Sequence, residues 1–435
     1  MSVYETICSQ AEALAPELIA QRRDFHKYAE SGWLEMRTSS IIARKLTELG
    51  YEVLKGEAVC LRESRMGVPS QEVLDAAYQR AQAQGGDPEF LPYTKDGMTG
   101  VVGILRCGEG PTVAMRFDID ALGVIEAQDA DHFPVQEGFV SVNEGAMHAC
   151  GHDGHACIGL GVANVLMGIK DQLKGTVKLI FQPAEEGVRG AKSIVDKGHL
   201  DGVDYFLGSH IAANDAFGAD VATGSYGTLA TGKYDVSFKG LAAHAGAAPE
   251  KGNNAILAAA TAVLNLQAIP RSGQGSTRIN VGKLVAGTGR NVIADQAYME
   301  IEVRGQTTEL NNYMESYMHR IIESAAQMHG CTVESKLVGA APSMDSDQAL
   351  AQKIAEICED KLQMSVRPGL MDKSGGSEDV AYMMNRVQQQ GGQAVFMRIR
   401  TNIVAGAHKR KYDFGEGVIP KGIKIFCAAV YDLMK

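Results

Sequence analysis

The first 50 residues place apolar and charged positions at helical spacing and end in TSSIIARKLTELGYEV, with Gly50 where a helix C-terminal glycine belongs. Two helices are predicted there. A polar stretch over 55–96, rich in Gly, Pro, Gln and Glu, interrupts the pattern with a single helical piece over 71–84, and it reads as an insertion on a scaffold. From Val101 short apolar runs alternate with longer helical ones: VVGIL, TVAMRF, a glycine-rich helix near 154–169, TVKLIFQ and YFLGSH. That alternation predicts an α/β catalytic domain, a mostly parallel sheet flanked by helices. Near Gly224 the order becomes strand, helix, strand, strand, helix, strand, which fits an inserted ferredoxin-like α+β module. After Ala340 a helix, the loop SGGSED, a helix, the strand AVFMRIR and a last helix return to the first domain. The expected domains are therefore 1–223 with 339–435, and an insertion over 224–338. No repeat of 20–50 residues suggests a solenoid or propeller.

Composition narrows the function. The chain has 435 residues, 45% hydrophobic and 22% charged, as in compact globular proteins. Lys and Arg total 42 against 52 Asp and Glu, a net charge of -10, which offers no basic field for nucleic acid or a membrane surface. The most apolar segments, 158–169 and 255–268, are shorter than the ~18 residues of a spanning helix. The N-terminus lacks a basic leader followed by an apolar run, and eight scattered cysteines do not resemble a disulfide scaffold. A cytoplasmic location is expected.

Metal-ligand residue types recur just past apolar runs. TVAMRF runs into Asp118 and Asp120, TVKLIFQ into Glu185 and Glu186, YFLGS into His210, and a loop carries His148, Cys150 and His152, with Asp153 and His155 close behind. His408 follows a further strand. In open α/β sheets the ligand site lies beyond the carboxyl ends of the strands, so distant segments can converge there. Paired acids in an apolar crevice repel unless one binds a cation and the other takes a proton. Two ions with a bridging water, and a carboxylate to shuttle protons, make an amide hydrolysis site without a separate nucleophile.

The motifs MHACGHDGH, FQPAEEG, GSHI, GLAAHAGAAPEKGNNAI and GGSED resemble the amidohydrolase branch of the aminoacylase and carboxypeptidase metallopeptidase superfamily, over nearly the whole chain. The resemblance implies a dinuclear metal catalytic domain and a smaller dimerisation domain. It puts the ligands on Cys150, His152, Glu186, His210 and His408, with Cys150 bridging the ions, and the general base on Glu185. It assigns His244 to oxyanion stabilisation in a neighbouring subunit's site, and Asn291 and Arg304 to the substrate's free carboxylate. Gly375, Gly376 and Ser377 fall on a glycine-rich substrate contact, and Asp118 or Asp120 orients a ligand histidine. Manganese is the implied metal, with zinc, cobalt and nickel suited to the same donors.

Length, the opening RRDFHKYAESGWLEMRTSS, the 55–96 insertion and SEDVAYMMNRVQQQGGQA most resemble members that split the amide between p-aminobenzoate and glutamate. The implied assembly is a homodimer, or a heterodimer with a related second subunit. Other readings are a broader hydrolase of hippurate-like or indole-acyl amino acids, a metal-binding subunit without activity, and a cysteine-nucleophile enzyme based on Cys150. Two departures from the family pattern stand out: Lys409-Arg410 after His408, and Gly123 where the family has proline.

Overall fold

A computed structural model of the chain describes residues 2–435 and divides into two compact units. One comprises the residues up to Tyr226, Asp345–Lys373 and Asp379–Lys435; the other comprises Gly227–Met344 and Ser374–Glu378.

The first unit is built on a seven-stranded sheet in the order Glu52–Lys55, Val101–Arg106, Thr176–Gln182, Thr112–Asp118, Tyr205–Ala213, Gln393–Thr401, Val221–Ala222. The four strands from Thr176–Gln182 to Gln393–Thr401 pair in parallel, and the outer strands pair antiparallel. Only residues 107–111 separate Val101–Arg106 from the next strand, too few for a parallel crossover of a dozen or more, so the chain must reverse. The middle strands are buried on both faces, which is why TVAMRF reads as one apolar run.

The glycine-rich helix, His152–Gly168, is apolar on all sides because it packs between Val3–Lys27, Val418–Met434 and the sheet. Gly159 lets it approach: an added Cβ there would lie 2.7 Å from ring carbons of Phe117 and Phe181. Helices Val3–Lys27, Met36–Glu48 and Gln71–Ala83 form where the periodicity places them. The 55–96 stretch is anchored by Trp33, whose Nε1 donates to the Met66 carbonyl at 2.7 Å. It also reaches Arg189, whose guanidinium donates to the carbonyls of Gly67 and Glu186.

Helix Val3–Lys27 braces the start of the glycine-rich helix through buried charge. Arg22 donates to Asp153 at 2.8 Å and Asp413 at 2.6 Å, and His26 sits between Asp153 and Glu126, 2.9 Å from each. Burial works against a charged His26, but hydrogen bonds to Asp153 and Glu126 outweigh it and raise its pKa from 6.5 to about 9. A folded value above the unfolded one means the stabilisation is complete below about 6.5 and is lost as pH rises through about 9. The Tm is expected to fall between pH 7 and pH 10, and His26→Gln to lower Tm at pH 7 while flattening that decline. Parallel Tm profiles for the two proteins would refute this.

The second unit is a four-stranded antiparallel sheet in the order Thr277–Ala286, Gln296–Gly305, Ala230–Lys239, Thr332–Ala341. Helices Ala255–Gln267 and Thr308–Met328 cover one face, with Val236, Phe238, Met299, Ile301 and Val303 packed against Ala258, Ala262, Met314, Met318 and Ile322. This is the ferredoxin-like order. Along Gln296–Gly305 buried residues alternate strictly with exposed or half-buried ones, so the opposite face presents Glu300, Glu302 and Arg304. Among the described residues no helix is long and apolar enough to cross a membrane, and all eight cysteines are unbridged.

Candidate metal centre

Three parallel strands and one helix deliver the chemistry to one place. Thr112–Asp118 ends in Asp118 and runs on to Asp120, Thr176–Gln182 runs into Glu185 and Glu186, Tyr205–Ala213 carries His210, and His152 opens its helix. Gly151, at φ +90°, makes the turn that sets Cys150 and His152 together. Donor atoms of Cys150, His152 and His210 lie within 4.8 Å of one another, as do those of Cys150, Glu186 and His408, and those of His152, Glu185 and Glu186. The five expected ligands and Glu185 therefore form one connected cluster. His408 is the least enclosed; its backbone N–H donates to the Ala149 carbonyl at 2.8 Å, and its Nε2 lies 3.6 Å from Glu186. Of the unusual cations beside it, Arg410 is turned to the Ile125 carbonyl.

Hydrogen bonds fix which histidine nitrogen is available. His152 Nδ1 faces the Asp120 carbonyl at 2.9 Å and the Asp120 carboxylate at 3.3 Å, so Nδ1 carries the proton and Nε2 keeps its lone pair. His210 Nδ1 faces the Ile211 carbonyl at 2.6 Å, leaving Nε2 toward the Cys150 sulfur at 3.4 Å. His155 lies close enough to belong to the cluster, but both its nitrogens are engaged: Nε2 accepts from Ile211 N–H, and Nδ1 donates to Asp118. His155 is thus a brace and not a donor. The two acids the sequence could not separate divide in the same way. Asp120 holds His152, whereas Asp118 holds His155 and accepts from Arg116 at 2.6 Å. Burial opposes charge on Asp118, but Arg116, His152 and His155 outweigh it and hold the carboxyl well below its usual range.

The acidic loop is held by its backbone. The N–H groups of Glu185 and Glu186 donate to the two oxygens of Asp120 at 3.0 and 2.9 Å. Ala184 and Val188, flanking the pair, have φ of +52° and +59°, a conformation that costs a β-branched residue most. Ala184 N–H is fixed by Glu35 at 2.7 Å, a buried carboxyl that also accepts from Thr99. Burial, and then the charge of Asp120, push Glu35 up to about 8. Asp379 gathers Gln182, the backbone N–H groups of Gly190 and Ala191, and Arg116. Sequence reading missed Glu35, Arg116 and Asp379. A lone charge inside an apolar run, as in SGWLEM and VAMRF, was the available signal.

The donors suit divalent metal ions. His152 Nε2 is buried with no hydrogen-bond partner, a cost that a bound cation removes. A mixed set of sulfur, imidazole and carboxylate exceeds what one tetrahedral ion needs, and it matches two. Burial pushes the Cys150 thiol up, the opposite of the depressed value a nucleophilic cysteine requires, so the sulfur fits a metal ligand better than a nucleophile.

The remaining expected residues lie in the second unit, in two groups. His244 is exposed, and its Nδ1 accepts from the N–H groups of Gly246 and Ala247, both at 3.1 Å, leaving Nε2–H free to donate outward. Asn291 is its neighbour through the bond from Ala245 N–H to the Asn291 carbonyl. Arg304 lies at the other end of the sheet, where Gly375 lines the same cavity and the Gly376 carbonyl accepts from Leu229 N–H. Arg304 is eight residues along its strand from Gln296, a separation of about 26 Å at 3.3 Å per residue. Asn291 precedes the Gln296 end of that strand, and Arg304 stands near its other end.

Fold and donor set define a dinuclear metal-dependent amidohydrolase. Residues 114–432 match the model of peptidase family M20/M25/M40, and the chain belongs to that family. It is 43% identical to a p-aminobenzoyl-glutamate hydrolase subunit of Escherichia coli, covering 95% of each chain. It is 45% identical to indole-3-acetyl-aspartic acid hydrolase of Enterobacter agglomerans, covering 93% of each. The crystal structure of an aminobenzoyl-glutamate utilization protein from Klebsiella pneumoniae superimposes with a TM-score of 0.82 at 38% identity, covering 97% of each chain.

Proposed function

We propose that the chain hydrolyses the amide of an N-acyl acidic amino acid, with p-aminobenzoyl-glutamate as substrate. The observation that carries this is the cluster of Cys150, His152, Glu186, His210 and His408 with Glu185 at its side. The similarity to the p-aminobenzoyl-glutamate hydrolase of Escherichia coli supplies the substrate. The indole-3-acetyl-aspartic acid hydrolase, equally similar, supports a second reading in which the acyl group is indole-acetyl; glutamate and aspartate are both acidic.

Cys150, His152, Glu186, His210 and His408 would hold two divalent ions, manganese being the proposed metal. Bound ions supply Lewis acidity toward the amide carbonyl and toward water. Glu185 takes the proton of the attacking water and delivers it to the leaving nitrogen. Asp120 keeps Glu185 in place through its backbone N–H and keeps His152 in the tautomer that ligates. Arg304 grips the substrate's α-carboxylate with its planar fork, and His244 donates from Nε2 to the developing oxyanion. The placement of His244 and Asn291 away from Arg304 supports a dimer in which those two residues serve a neighbouring subunit, either a second copy or a related second chain. Eight unbridged cysteines support a reducing, cytoplasmic location.

The test is glutamate release from p-aminobenzoyl-glutamate by the purified chain loaded with manganese, beside a chelated control. Release that disappears on chelation and returns with metal is the expected result. No release with two metals bound, either alone or after addition of the related second chain, overturns the proposal.

A further inference from the structure

Arg278 and Arg304 are directly opposed on neighbouring antiparallel strands, so their side chains leave the same face of the sheet. Like charges in that relation are destabilising. Of the carboxylates on this face, Glu300 is taken by Lys283, and Glu302, which shares the cavity with the arginines, does not compensate for both. Glu302 bonds Arg304 at 3.0 Å and stands in register across from Lys233, on the strand beyond. Arg278 donates only to the Ser276 hydroxyl, at 2.6 Å. Neither Arg278 nor Arg271 has a carboxylate partner among the described residues. All three arginines line one cavity of about 520 Å³ with Asn280, Glu302 and Gly375, a size that suits a small-molecule ligand. Three guanidinium groups against one carboxylate in a single cavity make a place that favours an anion.

The geometry points to a second carboxylate subsite: Arg278, assisted by Arg271, takes the side-chain carboxylate of the amino-acid half while Arg304 takes the α-carboxylate. This rests on the hydrolase reading above and deepens it, because it makes Arg278 the residue that selects acidic over neutral N-acyl amino acids. The spacing fits. Directly opposed cross-strand residues have Cβ atoms about 4.5–5.5 Å apart, and the two carboxyl carbons of extended glutamate, four C–C bonds apart, are separated by about 5 Å. Each guanidinium can then meet one carboxylate with a pair of hydrogen bonds. A glutamine side chain has the same shape but no charge, so it leaves the second arginine without its counter-ion.

The experiment compares p-aminobenzoyl-glutamate with p-aminobenzoyl-glutamine by titration calorimetry on metal-loaded protein carrying Glu185→Gln, which keeps both ligands intact. The acid is expected to bind about tenfold or more tighter than the amide, as suits a lost charged hydrogen-bond pair. Adding Arg278→Gln is expected to bring the two within about threefold of each other by weakening the acid alone, with Arg278→Lys restoring part of the preference. Equal binding of both ligands when Arg278 is present, a preference that survives Arg278→Gln, or no binding of either ligand overturns the subsite. A preference that depends on Arg278 in a protein that releases no glutamate keeps the subsite and overturns the hydrolase reading.

Discussion

Replacing Glu185 with Gln is expected to lower kcat by about 10²- to 10⁴-fold, the range associated with loss of a general acid–base, while metal content and KM stay near those of the unchanged protein. The separation of these effects follows from how the loop is built. Glu185 is placed by its backbone N–H on Asp120 and by the fixed turn through Ala184, and neither depends on whether its side chain ends in a carboxylate or an amide. Gln fills the same volume and leaves the donors of Cys150, His152 and His210 untouched. What it removes is the carboxylate proposed to accept the water proton. Steady-state kinetics beside elemental metal analysis distinguish the outcomes: a near-normal kcat removes Glu185 from the proton transfer, and a loss of metal would make it a ligand.

Replacing Cys150 with Ala is expected to have the opposite profile, with metal lost first and activity lost as a consequence. Cys150 belongs to two of the donor groups, one with His152 and His210 and one with Glu186 and His408. Its removal opens both at once. Removing an outer hydrogen-bond partner of a ligand typically costs 10- to 100-fold in metal affinity, and loss of a shared donor should exceed about 100-fold on the same scale. Metal content after dialysis, read with the Tm, checks this; a Cys150→Ala protein that keeps two ions and its rate would exclude the sulfur as a ligand.

Much of this architecture was legible in the sequence because the signals were local. The apolar runs TVAMRF and TVKLIFQ announced buried parallel strands, and the order of elements through KYDVSFKG to TVESKL announced the antiparallel sheet of the second unit. The ligand types were legible for the same reason: most of them stand within or shortly past the carboxyl-terminal part of an apolar strand run, where an open sheet gathers them. What could not be read was long-range choice. Nothing in Asp118-Ile119-Asp120 says that one acid faces His155 and the other His152, because that depends on the register between Thr112–Asp118 and the helix opening at His152. The carboxyl of Glu35 is drawn to Ala184 across 149 residues, and Asp379 to Gly190 across 189. Val101–Arg106 pairs beyond its sequence neighbour for a reason visible only once Thr176–Gln182 is placed. The separation of Asn291 from Arg304 is likewise a matter of strand length, which residue types do not reveal.

Asp120 has a consequence for how this chain can vary. Its two oxygens and its carbonyl receive three donors, from Glu185, Glu186 and His152. An amide in its place would turn one acceptor into a donor pointed at an N–H, so the isosteric exchange that is mild at many surface carboxylates is closed here. The course of the acidic loop and the orientation of His152 are therefore tied to a single side chain. Drift or engineering cannot adjust the one through this position without disturbing the other, and tuning of either must come from residues that touch only one branch, such as Glu35 on the loop side or Ile211 behind His210.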